Sequence, residues 1–339
     1  MSGSGPMIVA EISGNHNGSL ERALEIVRAI ATTGAHAVKL QTYTADTITL
    51  DVDSPRFRIS KGHELWGSRS LHALYDEAHT PWEWHRPIFE LAQELGLVAF
   101  SSPFDETAVD FLETLDAPLY KIASLEIVDL PLIRCAAQTG KPLILSTGTA
   151  TIAEIAAAVE AARSGGCEDL TLLACTSAYP ASPDDANLRR MPALSSIFGT
   201  KVGFSDHTVG IGVSVAAVAL GATLIEKHVT LSRADGGVDS AFSLEPDELR
   251  QLVEASDAAF RALGSSSAWS AVAESESLRL RPSLFVTREV VAGEIATHDN
   301  VRSVRPNGGL PPGDIDRVLG RTFKEGAALG TPVSWELFG

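Results

Sequence analysis

Between residues 8 and 229 the chain alternates eight short apolar runs with polar turns and amphipathic helical patterns, a rhythm that few architectures accept. The runs are IVAEIS (8–13), AVKLQT (37–42), LVAFSS (97–102), LYKIAS (119–124), LILST (143–147), LTLLACTS (170–177), KVGFSDH (201–207) and LIEKHV (224–229). Helical patterns lie between most of them, at 19–34, 82–96, 106–115 and 151–166. In the first of these Leu20, Ala23, Ile26, Val27 and Ile30 share one face, and Gly34 supplies the stop. Near-continuous apolar strands suit a parallel sheet covered on both faces, so eight strand–helix repeats predict an α/β chain folded as a (β/α)8 TIM barrel. A doubly wound sheet ranks second, because its glycine fingerprint is missing from the sequence.

The 339 residues exceed the roughly 250 that such a barrel needs. The surplus sits at the end: after a helical stretch at 245–264 comes SSSAWSAVAESES, then alternating short strands and turns. The predicted division is a barrel over 1–264, a serine-rich linker over 265–279 and a small β-rich domain over 280–339. With 45% hydrophobic and 21% charged residues the chain can bury a sizeable core. Its longest apolar stretch, 209–225, carries glycines and falls short of a membrane span. The first residues show no basic region ahead of an apolar one, so a cytoplasmic location is expected. A net charge of −16 argues against a nucleic-acid backbone as partner. Cys135, Cys167 and Cys175 form no metal or disulfide spacing and read as ordinary thiols.

Barrel active sites collect at the C-terminal ends of the strands, and here those ends are polar. In order they offer Glu11 with Asn15 and His16, Lys39 with Gln41, Ser101 and Ser102, Lys121 with Ser124 and Glu126, and Ser146 with Thr147. Thr176, Ser177 and Tyr179 follow, then Ser205, Asp206 and His207, then Glu226, Lys227 and His228. Lys39 and Lys121 lie inside apolar strands, where an unpaired ammonium is expensive. Two lysines and several hydroxyls converging on one mouth predict a pocket for phosphate or carboxylate.

His207 and His228, 21 residues apart, end neighbouring strands. A capping histidine and a core histidine would explain either alone; together they predict a metal pair that leaves coordination positions open for water and substrate. Manganese, iron, cobalt and zinc all accept such donors. His36, His63, His72, His79, His85 and His298 show no such pairing and read as structural. The stretch from Tyr43 to Pro81 is too long for an ordinary connection, and predicts a lid or specificity insertion. Its Trp66, with Trp82 and Trp84, could equally form its own small core. In the tail, Arg305 precedes a Gly/Pro loop able to present a cation.

The motifs AEISGNHNGS, VKLQTYTADTITLD, TPWEWH, FSSPFD, CTSAYPA, FSDHTVGIG, IEKH, LSRADGGVDSAFSLEP and SVRPNGGLPP run through nearly the whole chain. With them the sequence resembles the sialic acid synthase family, a TIM barrel followed by an antifreeze-like (SAF) domain, and is most similar to its pseudaminic acid synthase branch. The resemblance implies condensation of phosphoenolpyruvate with an open-chain acetamido aldose, 2,4-diacetamido-2,4,6-trideoxy-altrose, to give pseudaminic acid and phosphate. It implies that Lys39, Ser102, Lys121, Ser124, Ser146, Ser177 and Ser205 cradle phosphoenolpyruvate and that His207 and His228 bind a divalent metal, Mn2+ first, with Mg2+ or Co2+ as alternatives. Glu11, Glu126, Tyr179 and Asp239 would face the sugar, joined by Arg305 from the other subunit of a domain-swapped homodimer. Water capture would be helped by Glu11 or Glu126, and the resemblance does not choose between them.

Ala174, Val229, Thr149 and Pro282 depart from what the branch usually carries at these positions, where Lys, Phe, Met and Arg are common. None is a residue assigned to phosphoenolpyruvate or metal, but a changed wall can admit a neighbouring sugar, so N-acetylneuraminate, legionaminate or another nonulosonate remains the alternative product. Two other classes stay open: a Schiff-base aldolase using Lys39 or Lys121 as nucleophile, and a non-catalytic sugar-binding paralogue. The retained lysines and histidines place the paralogue last.

Overall fold

The computed structural model describes residues 5–60, 66–265, 267 and 272–339. His63 lies outside the described residues, as does part of the 265–279 stretch. The chain divides into two compact units, Met1–Leu263 and Gly264–Gly339.

In the first unit eight parallel strands close into a barrel in sequence order: β1 (Met7–Glu11), β2 (Ala37–Thr42), β3 (Val98–Pro103), β4 (Tyr120–Ile122), β5 (Leu143–Ser146), β6 (Leu170–Cys175), β7 (Lys201–Asp206) and β8 (Leu224–His228). β8 pairs back onto β1, with Glu11 opposite His228. Each strand is followed by a helix that packs outside the barrel, from Leu20–Ala31 after β1 to Pro246–Leu263 after β8. Local chemistry fixes where these helices start. Ser19 accepts the amide of Arg22, Asp105 accepts those of Thr107 and Ala108, and Thr151 and Glu154 cap one another reciprocally. Gly34 holds a φ of +86° just past the first helix, a conformation that an L side chain resists. No helix among the described residues is long and apolar enough to cross a membrane.

Side chains in a strand alternate between faces, so every second residue points into the barrel. The lower inward layer is apolar: Val9, Ala37, Phe100, Ile144, Leu173 and Leu224 plug the barrel. Two residues further along the same strands, the inward layer turns to Glu11, Lys39, Ser102, Ser146, Cys175 and Glu226. The outward positions between them build the main core against the helices, with Ile8, Ala10, Val38, Leu40, Leu172, Phe204 and Ile225. A dry plug beneath a polar floor is what places the site.

The segment between β2 and the helix Trp82–Glu94 holds two short helices, Ala45–Ile48 and Leu71–Ala78, and an Arg58–Ser70 bridge. The second unit carries β9 (Ser283–Val286) antiparallel to β10 (Val301–Val304) over a core of Leu284, Val286, Val290, Val301, Phe323 and Phe338. Trp335 lies beneath the Arg317 and Arg321 guanidiniums.

Candidate active site

A cavity of about 570 Å³ opens above the polar floor, lined by Glu11, Lys39, Lys121, Glu126, Glu226, His207 and His228 among others. Its floor is a network of paired charges. Lys39 Nζ lies 2.7 Å from Glu11 Oε1 and donates to Ser102 Oγ at 3.2 Å. Lys121 Nζ spans both oxygens of Glu226 at 2.7 and 3.0 Å, and Ser205 Oγ donates to the same carboxylate at 2.9 Å. Lys39 also reaches Glu226 at 3.8 Å, so the four charges form one buried cluster. Gln41 Nε2 donates to Glu11 at 2.7 Å.

Burial works against every one of these charges, and the partners outweigh it where they are close. Desolvation opposes ionisation of Glu11, but Lys39, His228 and Lys121 hold its carboxyl well below the usual range. Glu226 is lowered in the same way by Lys121 and Lys39, and the Lys39 ammonium is raised by Glu11 and Glu226. Glu126 is the contrast: burial, with Asp129 adding to it, pushes its carboxyl up to about 7.

Above the floor the two imidazoles face one another with ring centroids 5.3 Å apart. His207 Nδ1 donates to the Thr176 carbonyl at 3.0 Å, which fixes the proton on Nδ1 and leaves Nε2 as a lone-pair donor. His228 stands 3.5 Å from Glu11 Oε2 through Nε2 and 3.6 Å from Asp239 Oδ2 through Nδ1. Ser13 holds that Asp239 oxygen from the other side. Tyr179 packs on His207 at 4.5 Å between centroids. Among the described residues no three His, Cys, Asp or Glu side chains form a ready-made metal cage. Two imidazoles with a carboxylate nearby are donors that would suit a divalent ion with open positions for ligands.

Several buried polar atoms around the cavity have no hydrogen-bond partner: Ser146 Oγ, Ser177 Oγ, Glu126 Oε2 and His228 Nδ1. Buried polar groups are rarely left so, and these four border one cavity. Ser124 Oγ accepts the amide of Gly148 at 3.2 Å. Of the residues expected from the sequence, Glu11, Lys39, Ser102, Lys121, Ser124, Glu126, Ser146, Ser177, Tyr179, Ser205, His207, His228 and Asp239 all line this cavity. Arg305 sits in the second unit, exposed in the loop after β10.

Other polar strand-end residues point elsewhere. Asp206 and Lys227 face outward and pair with each other, Ser101 meets Thr42, and Asn15 ties the first loop to Ser243 and the Val229 carbonyl. His16 accepts the Gly18 amide and meets Trp84 edge-on, a structural histidine. Trp82 stacks on Phe111, whereas Trp66 lies near Tyr179 and lines the cavity. Lys39 and Lys121, expected to meet the phosphate or carboxylate of a ligand, each already face a carboxylate of the protein. Glu226 is named in the sequence analysis only among the polar strand ends and is given no role; its signal was its place two residues before His228 on the same inward face.

The model of the NeuB family matches residues 26–268, and that of the SAF domain matches 281–338. The chain is 44% identical to a pseudaminic acid synthase of Helicobacter pylori over 97% of its length and 96% of the relative's. It is 42% identical to a pseudaminic acid synthase of Campylobacter jejuni over 95% of the chain and 94% of that relative. A crystal structure of N-acetylneuraminic acid synthetase from Leptospira borgpetersenii, in complex with citrate, superposes with a TM-score of 0.71 at 32% identity, covering 81% of this chain and 90% of that one.

Proposed function

The chain belongs to the NeuB family, and from that premise we propose that it is a pseudaminic acid synthase, condensing phosphoenolpyruvate with 2,4-diacetamido-2,4,6-trideoxy-altrose to release phosphate. The observation that carries this reading is the floor where Lys39 and Lys121 stand beside the unpartnered hydroxyls of Ser146 and Ser177, directly below paired imidazoles. An anion with a carboxylate and a phosphate supplies acceptors for all four groups.

In this reading Lys39, Lys121 and the hydroxyls of Ser102, Ser124, Ser146, Ser177 and Ser205 hold the enol phosphate, while Glu126, Tyr179 and Asp239 orient the aldose. His207 and His228 hold a divalent cation, Mn2+ in the first instance, which supplies Lewis acidity toward the aldehyde oxygen. C3 of the enol phosphate attacks the aldehyde carbon, and the aldehyde oxygen takes up a proton. Water adds to the electron-poor C2, losing a proton, and the resulting tetrahedral phosphate ester expels inorganic phosphate to leave a 2-oxo acid. A carboxyl near 7 exchanges protons at neutral pH, whereas one held far below its usual range is a weak base, so Glu126 takes the proton and Glu11 acts by charge.

A Schiff-base route fits the floor poorly. A nucleophilic lysine needs a lowered pKa, and both lysines are paired with carboxylates, the Lys39 ammonium being raised by them. Arg305, exposed on the second unit, is assigned to the sugar of the partner's barrel in a domain-swapped homodimer. Phosphate release from phosphoenolpyruvate, measured with Mn2+, with chelator, and with a panel of mono- and diacetamido aldoses, tests the reading. Turnover of the altro-configured diacetamido sugar that chelator abolishes is the expected result. Turnover of a different aldose only would reassign the product, and no phosphate release with any aldose would overturn the activity.

A further inference from the structure

The cavity has two unlike halves. The barrel side is polar for the most part, with the Lys39, Lys121, Glu11 and Glu226 charges among the hydroxyls of Ser102, Ser124, Ser146, Ser177 and Ser205. The opposite side comes from the long connection after β2, which contributes Ile48, Ile59, Trp66, Leu71, Leu74 and Tyr75 to the lining. Four of these six are aliphatic and offer only carbon to whatever occupies the cavity. The indole N–H of Trp66 donates to the Val238 carbonyl at 3.1 Å, so its polar atom is turned to backbone. Tyr75 meets Tyr43 edge-on at 5.9 Å, and Tyr43 meets Phe104 at 5.0 Å, so an aromatic row continues the wall along the cavity.

These side chains are more than the connection's own core. Leu74 is buried, but Ile48, Ile59, Trp66, Leu71 and Tyr75 remain partly exposed at the cavity. A segment that packs only for its own stability gains most by covering such groups, so an apolar surface left facing a charged floor is complementary to an apolar part of the ligand.

Resting on the reading of the site as a nonulosonate synthase, we infer that the wall formed by Ile48, Ile59, Leu71 and Leu74, with Trp66 and Tyr75, is the subsite for the acetamido methyl and deoxy methyl end of the aldose, and selects a deoxy diacetamido sugar over a polyhydroxylated monoacetamido one. The sugar's aldehyde end belongs at the imidazoles, which Trp66 approaches through Tyr179, so the far end of the sugar runs from there along the aliphatic groups of the wall. A hydroxyl placed against Ile48 or Leu71 loses its water without gaining a partner, whereas a methyl gains from leaving water. Glu126, which also lines the cavity, remains available to an amide or hydroxyl nearer the aldehyde. Discrimination by a hydrophobic wall against an added hydroxyl is limited to about a hundredfold, which sets the scale of the effect.

The test uses Ile48→Ser and Leu71→Ser, each partly exposed and outside the charged floor, with phosphate release measured for 2,4-diacetamido-2,4,6-trideoxy-altrose and for N-acetylmannosamine. Each variant should raise KM for the diacetamido sugar about tenfold, leave KM for phosphoenolpyruvate unchanged, and shrink the preference over N-acetylmannosamine by a similar factor. Ile48→Leu, which keeps an aliphatic side chain at the wall, should retain most of the sugar preference that Ile48→Ser loses. In parallel, saturation-transfer NMR on the unmodified protein with phosphoenolpyruvate and the diacetamido sugar should place the strongest transfer on the acetamido and C6 methyls. Unchanged KM values, an equal rise for both sugars, or saturation centred on the ring protons would overturn the wall assignment. The NMR arm needs no turnover: methyl contacts without phosphate release would sustain the wall and sink the proposed reaction, while release insensitive to both variants would do the reverse.

Discussion

Lys227 Nζ lies 3.0 Å from Asp206 Oδ2, with both side chains at 0% exposure, on the outer face of the barrel at the rung whose next residues are His207 and His228. The two are register partners across β7 and β8. Asp206 also accepts the Thr208 amide at 2.8 Å and the Ser214 hydroxyl at 2.5 Å, and Lys227 donates to the Thr208 carbonyl. The pair therefore clamps the two strands, and the loop after β7, where the imidazole spacing is set. Removing one member strands a buried charge, so Lys227→Met should cost about 3–5 kcal/mol of stability in urea melts. Asp206→Asn with Lys227→Met should recover part of it. Because the clamp sets the imidazoles, Mn2+ affinity read by electron paramagnetic resonance should fall at least tenfold in the folded single variants, with phosphoenolpyruvate affinity moving less.

Glu226 ties Lys121 and Ser205 and reaches Lys39, so it neutralises the floor when no anion is bound. Glu226→Gln leaves two buried ammonium groups facing Glu11 alone. The variant should lose roughly 3 kcal/mol or more of stability, and phosphoenolpyruvate should raise its melting temperature by more than it raises that of the parent. Equal shifts in the two proteins would show that the lysines do not receive the anion.

The barrel was legible because eight apolar runs at helical spacing leave a parallel closed sheet as the simplest way to bury them. Its mouth was legible because lysines and glutamates inside such runs need partners. Facing was read less well. Asp206 and Lys227 look like site residues when strand ends are read as blocks, yet the strict alternation Leu224, Glu226, His228 assigns Lys227 to the outside and Glu226 to the floor. The Lys121 partner of Glu226 is 105 residues away, a pairing no local pattern reveals. Nor does sequence distinguish Glu11 from Glu126: one faces a lysine across the β1–β2 ladder, the other opens a short 3-10 helix after β4 where burial dominates.

Glu126 should leave a signature in pH. Its carboxyl is raised by burial from the ordinary 4.5 to about 7, so between those values the folded protein keeps a proton that the unfolded chain has released. The stability contributed by this group is complete below 4.5 and is lost as pH rises through about 7. Relative to Glu126→Gln, the parent should therefore lose up to about 3 kcal/mol across that window. The same substitution should lower kcat by about a hundredfold or more and remove the inflection near 7 from its pH profile. A parallel pH dependence of stability in the two proteins would contradict a neutral buried carboxyl.

Gly148, in the loop after β5, tests the hydroxyl cradle without touching a charge. A Cβ there would fall 2.3 Å from Ser177 Oγ and 2.7 Å from Ser124 Oγ, so Gly148→Ala must push both hydroxyls aside. The Gly148 amide donates to Ser124, which couples the backbone to the same displacement. Misplacing anion-holding groups by about an ångström costs on the order of a hundredfold in rate, so kcat/KM for phosphoenolpyruvate should fall 10- to 100-fold. The aldose KM should change by less than about threefold, because neither hydroxyl is assigned to the sugar in this arrangement. Mn2+ affinity should change less, since the added Cβ meets Ser177 and Ser124 rather than either imidazole. A variant whose aldose KM rises while its phosphoenolpyruvate KM stays unchanged would move Ser124 and Ser177 from the anion cradle to the sugar site.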